Sequence, residues 1–304
     1  MKTIACKTLP LFITLPLLVT SCEKKSAPSS AENVAAVVPA DAPVILAKRG
    51  YLPPAGTKTG MELSIAMEDA NVQIDAGGQQ MQGKVNQSTK GSETLEFLPG
   101  EKIRRTVVSK KISGKMTING MDQPIPDSSD PLEGSTVLLS KTDGKWTAAL
   151  EDGSSPTEAQ LTAIEKMAKP LNNESDAETY GEAPRKIGDK WEVDPTKIGS
   201  FGEAENLTGT YSVEFVRVED YQGTPCAVLK AKIDLKGTTA SKGRGSMKMR
   251  IRGDVMTHRS LKDMTDLQVV TSGSVDLDGA PAPGFSMHME GPIRLTQKVT
   301  VTRP

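Results

Sequence analysis

The sequence predicts a mainly β protein of the α+β type: a curved antiparallel sheet or half-open barrel with one principal helix near residues 156–170. From about Pro43 onward, apolar and polar residues alternate over many short runs, which is typical of strands with one buried and one solvated face. Turn pairs such as Asn119-Gly120 and Asp143-Gly144 separate these runs and favour tight hairpins. The long apolar runs and many helices of a buried parallel sheet are missing, so the strands are expected to be antiparallel.

Residues 1–21 are expected to form a secretory signal peptide rather than part of the fold. Lys2 and Lys7 precede an almost entirely apolar stretch from Leu9 to Val19, which is the plan of an export signal. As a helix, this run of about 11 residues would rise only ~16 Å, roughly half of a bilayer core. We therefore expect it to be removed during export, not kept as a membrane span.

The four residues after the apolar run, Val19-Thr20-Ser21-Cys22, resemble the lipobox of bacterial lipoproteins. The resemblance implies a diacylglycerol thioether on Cys22, cleavage before it, and acylation of the new amino group. Two or more chains would anchor the protein stably to a membrane, whereas one chain anchors marginally. The alternative is an ordinary secreted protein whose cysteine lies near the cleavage site by chance.

We expect the protein to be located in the cell envelope, attached to a membrane through lipid. The residue after Cys22 is Glu23, whereas in enterobacterial-type sorting an aspartate there retains a lipoprotein in the inner membrane. By that resemblance, the outer membrane is favoured. Residues 22–42 are rich in Ala, Pro and Ser and are expected to be a flexible linker with a reach of roughly 25 Å. Residues 43–304 are expected to form the β-rich domain.

The amino-acid composition indicates which partners the protein is not expected to bind and which interactions can stabilise its fold. The formal net charge is −1 and no basic block offers a phosphate-binding face, so nucleic acid is not an expected partner. With Cys6 removed and Cys22 lipidated, Cys226 would be the remaining cysteine, which excludes an intramolecular disulfide. Aromatic residues make up only 4% of the chain, while 13 methionines are present. Such a core is adaptable but poor in stacking platforms.

The predicted strands follow from apolar positions that alternate with polar ones. Both halves of the chain contain such runs, and the clearest lie in the second half. In chain order, the apolar positions are Met61, Leu63, Ile65 and Met67; Ile112, Met116 and Ile118; Ala227, Leu229, Ala231, Ile233 and Leu235; Met247, Met249 and Ile251; Phe285, Met287 and Met289; and Val299 and Val301.

One segment departs from the strand pattern and predicts the principal helix. Ser155 is expected as the N-cap, Pro156 as the first helical residue and Glu158 as the capping-box acid. Pro170 is expected to disrupt the last turn. One face of this helix carries an apolar stripe, which we call the helix stripe and which is the candidate ligand-binding surface if the helix lines an apolar chamber: Leu161, Ile164, Met167 and Ala168.

Residues 172–182 are polar and acidic and are expected to form a loop. The helix and this loop, near residues 155–182, would divide the domain into two strand-rich halves. Asp143-Gly144-Lys145-Trp146 in the first half is similar to Gly188-Asp189-Lys190-Trp191 in the second. Two short motifs leave open whether the halves are a true repeat.

The second tryptophan motif carries a further resemblance. Pro184 to Trp191, followed by a long strand at 211–218 and a hairpin at Gly223, resembles a group of uncharacterised exported lipoproteins with a Gly-x-x-Trp step before a β-meander. The resemblance covers roughly residues 45–240 and implies no known activity. The expected layout is similar to the lipoprotein-localisation type of fold, in which a sheet wraps a helix-covered apolar cavity.

No catalytic residue, cofactor or metal site is predicted. The two histidines, His258 and His288, have no partner at metal-ligand spacing. The nearest candidate for a Ser-His-Asp arrangement is His258 and Ser260 with Asp263 or Asp266, but no Gly-x-Ser-x-Gly elbow is present.

The leading hypothesis is therefore a non-enzymatic envelope lipoprotein that binds an apolar ligand in its cavity or a protein partner along its sheet. The alternative is an envelope hydrolase with dispersed catalytic residues.

Overall fold

The computed structural model describes residues 42–304 apart from 199, 202–203, 241–244 and 283. The expected signal peptide, Cys22 and nearly all of the expected linker lie outside these described residues. None of the helices in the described part of the chain is long and apolar enough to cross a bilayer.

The described chain forms one large, curved antiparallel sheet that does not close, together with two short helices. This confirms the predicted fold class, a mainly β half-open barrel. The helices are α1 (Glu158–Asn172) and α2 (Ser175–Tyr180). The strands are β1 (Lys58–Ala76), β2 (Gln79–Leu98), β3 (Lys102–Ile118), β4 (Met121–Ser129), β5 (Thr136–Thr142), β6 (Lys145–Leu150), β7 (Lys190–Glu192), β8 (Ser200–Phe201), β9 (Ala204–Tyr221), β10 (Thr224–Ala240), β11 (Ser246–Ser260), β12 (Asp266–Ala282) and β13 (Phe285–Thr302).

The first and last strands meet inside the sheet, whose order is β6-β5-β3-β2-β1-β13-β12-β11-β10-β9-β7, with β4 paired to β3 and β8 paired to β9. The β1–β13 register runs from Lys58 opposite Thr302 to Ala76 opposite Phe285, with one irregularity. The strand-rich halves before and after the helices are therefore parts of one sheet. Strands β6 and β7, which flank the helices in sequence, lie at its two ends.

The alternating sequence pattern matches the burial of the strands. In β10, Leu229 and Ile233 are buried, whereas Lys230 and Lys232 are exposed. Cross-strand pairs continue the buried positions on to the neighbouring strands, for example Leu229 opposite Thr257. We call this buried side the inner face of the sheet and the opposite side the outer face.

The predicted hairpin turns are present. Asn119-Gly120 connects β3 to β4, and Asp143-Gly144 connects β5 to β6. Both residues of each pair have positive φ, between 50° and 78°, as a two-residue type I′ connection requires. Gln222-Gly223 joins β9 to β10 in the same way.

The helix exists, but its ends differ from the prediction. The N-cap is Thr157 rather than Ser155, because the Thr157 hydroxyl accepts from the Gln160 N–H while the Gln160 side chain accepts from the Thr157 N–H. This reciprocal capping box satisfies two otherwise unpaired donors. Pro156 therefore precedes the helix. Pro170 lies inside α1, which continues to Asn172, since a proline so close to the end removes only one helical hydrogen bond.

The predicted acidic loop at 172–182 is partly helical, which corrects that expectation. Residues Ser175–Tyr180 form α2, with Ala177 and Tyr180 buried. The apolar pair is the physical reason, because burying one side of a short polar segment stabilises a helical turn that propensity alone leaves marginal.

Helix α1 packs on the inner face of β3, β5 and β6. Ile164 contacts a cluster that includes Val107 and Val137, and Ala168 lies in a second cluster with Leu139 and Trp146. The largest hydrophobic cluster draws on both halves of the sheet and on the segment before β1, including Leu46, Val72, Val85, Phe215, Leu229 and Met289.

Candidate functional site

A cavity of about 300 Å³ lies where the helices meet one end of the sheet. Its walls come from residues 47–53, the end of β2 and the start of β3, the β5–β6 hairpin, the end of α1, the start of α2, and residues within 259–265. This volume is at the lower end of the range of small-molecule sites, roughly 300–1,000 Å³. The fold thus gathers distant parts of the sequence around one small chamber.

Part of the cavity wall is aliphatic and aromatic, while ten of its 24 described lining residues are polar or charged. Tyr51, Phe97 and Trp146 line it, although the chain has only eleven aromatic residues. Several wall side chains are only partly buried by their protein neighbours, so they keep apolar surface available to a guest. The aliphatic wall residues are Leu52, Leu95, Ile103 and Leu171.

Trp146 is held in place by the end of α1. The Asn172 side-chain oxygen accepts from the Trp146 backbone N–H at 2.8 Å, and the Asn172 amide nitrogen donates to the Trp146 carbonyl at 3.0 Å. Trp146 lies on β6, at one end of the sheet, where one side of the strand has no neighbouring strand in the sheet order. The asparagine satisfies backbone groups that a further strand would otherwise pair.

A buried arginine fixes the other side of the cavity. The Arg259 guanidinium donates to Asp266 at 2.7 Å, to Asp176 at 2.6 Å and to the Leu46 carbonyl at 2.6 Å. It also stacks over the Tyr180 ring at 4.0 Å, and the Tyr180 hydroxyl donates to Asp266 at 2.8 Å. One side chain thereby ties β11, β12, α2 and the segment before β1 together.

The electrostatics of this network keep Arg259 charged. Burial by itself would lower the pKa of Arg259, but the carboxylates of Asp266 and Asp176 outweigh burial and raise it. Burial raises the pKa of Tyr180 well above its ordinary value, so the phenol keeps its proton and acts as a donor. Because the Arg259 guanidinium is already paired with carboxylates, it holds the cavity wall together and is not free to bind an anion.

Two other cations at the rim are paired as well. Arg49 bonds Glu174 at 2.9 Å and Glu178 at 2.5 Å. Lys141 bonds Glu101 at 2.9 Å. Arg49 and Lys141 therefore already have carboxylate partners, whereas Lys48, which also lines the cavity, forms no salt bridge within the described residues.

The helix stripe lies beside this cavity rather than on its wall. Leu161 is 46% exposed. Ile164 is buried against β3 and β5, and Met167 and Ala168 pack from α1 against the strands, including β6. The part of α1 that lines the cavity begins later, at Pro170. Contact of the helix stripe with a ligand stays a prediction.

The residues of the Ser-His-Asp candidate form separate hydrogen bonds. His258 Nε2 bonds Glu219 at 2.7 Å, whereas the Ser260 hydroxyl donates to Asp263 at 3.0 Å. Asp266 is engaged by Arg259. No hydrogen bond joins His258 to Ser260 in the described part of the chain, so the proton relay that a serine nucleophile needs is not assembled there.

The remaining candidate groups show no sign of a reactive site. His288 Nδ1 lies 3.7 Å from Asp276 and 3.9 Å from Asp278. Within residues 42–304, as far as they are described, no group of three His, Cys, Asp or Glu side chains could hold a metal ion. Cys226 is buried, and burial raises the pKa of its thiol to about 12. It therefore stays a thiol rather than a nucleophilic thiolate at neutral pH.

Sequence reasoning missed most of the cavity wall. Phe97 and Leu171 lie outside the strands and the helix assigned from the sequence, and nothing in their local pattern points to a shared site. The scarcity of aromatic residues was the one available signal, because three of them converge here. Arg259 lies between His258 and Ser260 in the sequence. That it is buried and connects several elements can be recognised only from its bonding partners in the structure.

Comparisons with known proteins leave the chain without a family. No family model matches, and no curated protein matches. Among solved structures, lipovitellin, from a study of lipid–protein interactions, is 8% identical with a TM-score of 0.39, covering 82% of this chain and 26% of its own. The chain therefore spans about a quarter of the length of lipovitellin.

Two further structures show weaker likeness. The outer membrane protein OprG from Pseudomonas aeruginosa is 10% identical, with a TM-score of 0.22 over 82% of this chain and 97% of its own. A putative outer membrane lipoprotein-sorting protein domain from Vibrio parahaemolyticus is 9% identical, with a TM-score of 0.15 over 81% and 85%. With TM-scores this low, these likenesses assign neither a family nor a function.

Proposed function

We propose that this protein is an envelope lipoprotein, anchored through lipid on Cys22, whose cavity binds a small, uncharged apolar molecule without chemical conversion. The observation that carries the proposal is the convergence of Tyr51, Phe97 and Trp146 on one cavity in a chain with so few aromatic residues. Aromatic and aliphatic walls with a few placed polar groups are the usual construction of a ligand site.

The size and charge of the cavity narrow the ligand class. An engineered apolar cavity of ~150 Å³ holds one benzene molecule, and the volume here is about 300 Å³. A small aromatic compound or a short acyl chain fits such a space, whereas a whole phospholipid does not. The pairing of Arg49 and Arg259 with carboxylates favours a neutral ligand over a fatty acid anion.

The two tryptophans provide an intrinsic test of binding. Trp146 lines the cavity, whereas Trp191 lies on β7 and donates to the Thr179 carbonyl. We expect decanol to change the tryptophan emission of the protein and of the Trp191→Phe variant, but not that of Trp146→Phe. Decanoate should bind more weakly than decanol at neutral pH, because Arg49, Lys141 and Arg259 are already paired and leave only the exposed Lys48 among the cations of the described wall for its carboxylate. A change that persists in Trp146→Phe would place the ligand elsewhere.

A pair of leucine substitutions on α1 tests the location independently. Leu171→Trp fills the cavity, whereas Leu161→Trp places the same side chain at an exposed position of the same helix. We expect Leu171→Trp to abolish binding of a neutral fluorescent naphthylamine and Leu161→Trp to leave it unchanged. The reverse result would assign binding to the helix stripe and reject the cavity.

Anchoring is tested at Cys22. We expect Cys22→Ser to abolish incorporation of a radioactive fatty acid and the membrane association that withstands a high-salt wash, because the lipid is the only apolar anchor that would remain after processing. Label in the Cys22→Ser protein equal to that of the unaltered protein would contradict the assignment. The presence of Glu23 after the cysteine supports the outer membrane as the destination, and membrane fractionation measures this.

A further inference from the structure

The outer face of β10 and β11 carries a concentration of basic side chains that the cavity does not use. We call it the basic face and define it by five exposed residues: Lys230, Lys232, Lys236, Lys248 and Arg252. The two strands pair directly, with Lys230 opposite Met256 and Lys232 opposite Asp254. Strand geometry therefore places these cations on one surface, where successive outer positions of a strand are about 7 Å apart.

Few carboxylates neutralise this surface from within the two strands. Asp234 is bonded to Arg250 at 2.6 Å and 2.7 Å, so that pair cancels itself. Asp254 is the other acidic side chain on the outer positions of β10 and β11 between residues 230 and 256. On β9, Glu214 lies opposite Lys230 and is bonded to Lys190. On β12, Asp276 and Asp278 lie opposite Arg250 and Lys248, so carboxylates border the basic face on both sides and its positive charge is strongest around Lys232 and Lys236.

The positive charge of the basic face does not result from an excess of basic residues in the whole chain. The whole chain has a formal net charge of −1. Residues 151–194, which include both helices, contain eleven acidic and five basic residues. Helix α1 packs on the inner face, so the acidic helical region and the basic face lie on different sides of the sheet. Such segregation of charge orients a protein in the field of a charged surface.

The chemistry of the basic face fits an array of phosphate headgroups. Lysine is a point charge on a flexible stem, suited to mobile phosphates, whereas rigid bidentate recognition of one phosphate is a property of arginine. The outer positions of β10 and β11 from 230 to 256 hold no aromatic side chain, so nothing there stacks on a nucleic-acid base. We propose that the basic face docks on an anionic phospholipid surface, which leaves the helices and the cavity directed away from the lipid.

Vesicle binding tests this docking without the lipid anchor. The mature chain carrying Cys22→Ser is titrated with phosphatidylcholine vesicles, and with vesicles of phosphatidylcholine and phosphatidylglycerol in equal parts. We expect binding only to the anionic vesicles, weakening steeply with added salt. The triple variant Lys230→Glu/Lys232→Glu/Lys236→Glu should lose about tenfold or more in affinity.

A matched control separates the basic face from net charge. Lys90, Lys102 and Lys111 are exposed on β2 and β3, several strands away, and their reversal to Glu changes the net charge equally. We expect the control triple to stay within about twofold of the unaltered affinity, since exposed charges beyond a screening length contribute little. If reversal shifts the urea midpoint, the corresponding Lys→Gln triples are compared instead.

Several outcomes would overturn the proposal. Equal losses in both triples would mean that only net charge matters, and equal binding to both vesicle types would mean that apolar contacts dominate. Binding to soluble polyphosphate without binding to anionic vesicles would assign the face to a soluble polyanion. None of these results affects the cavity, because decanol binding is measured without vesicles.

Discussion

At the scale of single residues, the inner face contains an ion pair that its strand pattern does not suggest. Glu93 of β2 is almost completely buried, and Arg105 of β3 forms two hydrogen bonds to its carboxylate. Burial raises the pKa of Glu93, while the charge and hydrogen bonds of Arg105 act in the opposite direction. The guanidinium of Arg105 therefore offsets the free-energy cost of burying the Glu93 carboxylate.

We predict that Arg105→Gln lowers the free energy of unfolding by about 3–5 kcal/mol at neutral pH, because it leaves a buried charge unpaired. The loss should shrink as the pH falls. Without Arg105 the pKa of Glu93 rises further, and a raised native-state pKa makes stability greatest at low pH, decreasing as the pH rises through that pKa. Urea unfolding at pH 7 and near pH 4 measures the difference.

The neighbouring residue is the control. Arg104 is partly exposed and pairs with Glu96 and Glu151, so Arg104→Gln should cost no more than about 1 kcal/mol. An Arg105→Gln penalty that is the same at both pH values would show that lost packing, not the unpaired carboxylate, causes the destabilisation.

At the scale of an element, β10 shows how a strand pattern becomes a two-sided surface. Its buried positions, including Leu229 and Ile233, join the largest hydrophobic cluster, whereas Lys230 and Lys232 stand on the outer face. A register shift of one residue would exchange these two sets. The alternation therefore specifies register as well as burial.

We predict that Leu229→Asp and Ile233→Asp each destabilise the protein by several kcal/mol, because each buries an unpaired charge. Lys230→Asp and Lys232→Asp should change stability by no more than about 1 kcal/mol, since both side chains are exposed. Denaturant midpoints of the four variants decide the matter. Equal losses in all four would contradict the one-sided burial of β10.

At the scale of the whole molecule, the two strands that are farthest apart in sequence pair with each other in the sheet. Strands β1 and β13 pair at its centre, while β6 and β7 form its ends and are joined in sequence by the two helices. Asn172 of α1 bonds β6, and Trp191 of β7 bonds the Thr179 carbonyl in α2. The helical segment thus covers both ends of the open sheet, and non-local pairing makes the two halves interdependent.

We predict that ending the chain after Gly284, which removes β13, abolishes cooperative unfolding, whereas ending it after Thr302 preserves cooperativity. Trp146 and Trp191 report on opposite halves, so single-tryptophan versions of the full chain should show coincident urea transitions. Removing β13 takes away the shared partner through which the halves meet. Retention of one sharp transition without β13 would show that a half folds independently.

The outcome for individual residues shows how far sequence reasoning reached. Leu229 and Lys230 were assigned to opposite faces because side chains alternate along any strand. The start of α1 differs from the expected Ser155 because competing caps a few residues apart satisfy the same helix donors. Its end lies beyond Pro170 because a proline in the last turn removes only one helical hydrogen bond. The wall residues Phe97 and Leu171 could not be grouped, because no local period links a strand in one half to a helix end 74 positions later.

The sequence by itself determined the strand periodicity, the hairpin turns and the antiparallel class, since each depends on side chains within a few positions of one another. The processing site at Cys22 stays a prediction from the same kind of local pattern. Tertiary structure alone decided that β1 pairs with β13, that Arg259 clamps α2, and that three scattered aromatic residues surround one cavity. The physical reason is that local patterns specify which face of a strand is buried, whereas its partner across the chain is selected by the total burial and hydrogen bonding of the assembled sheet.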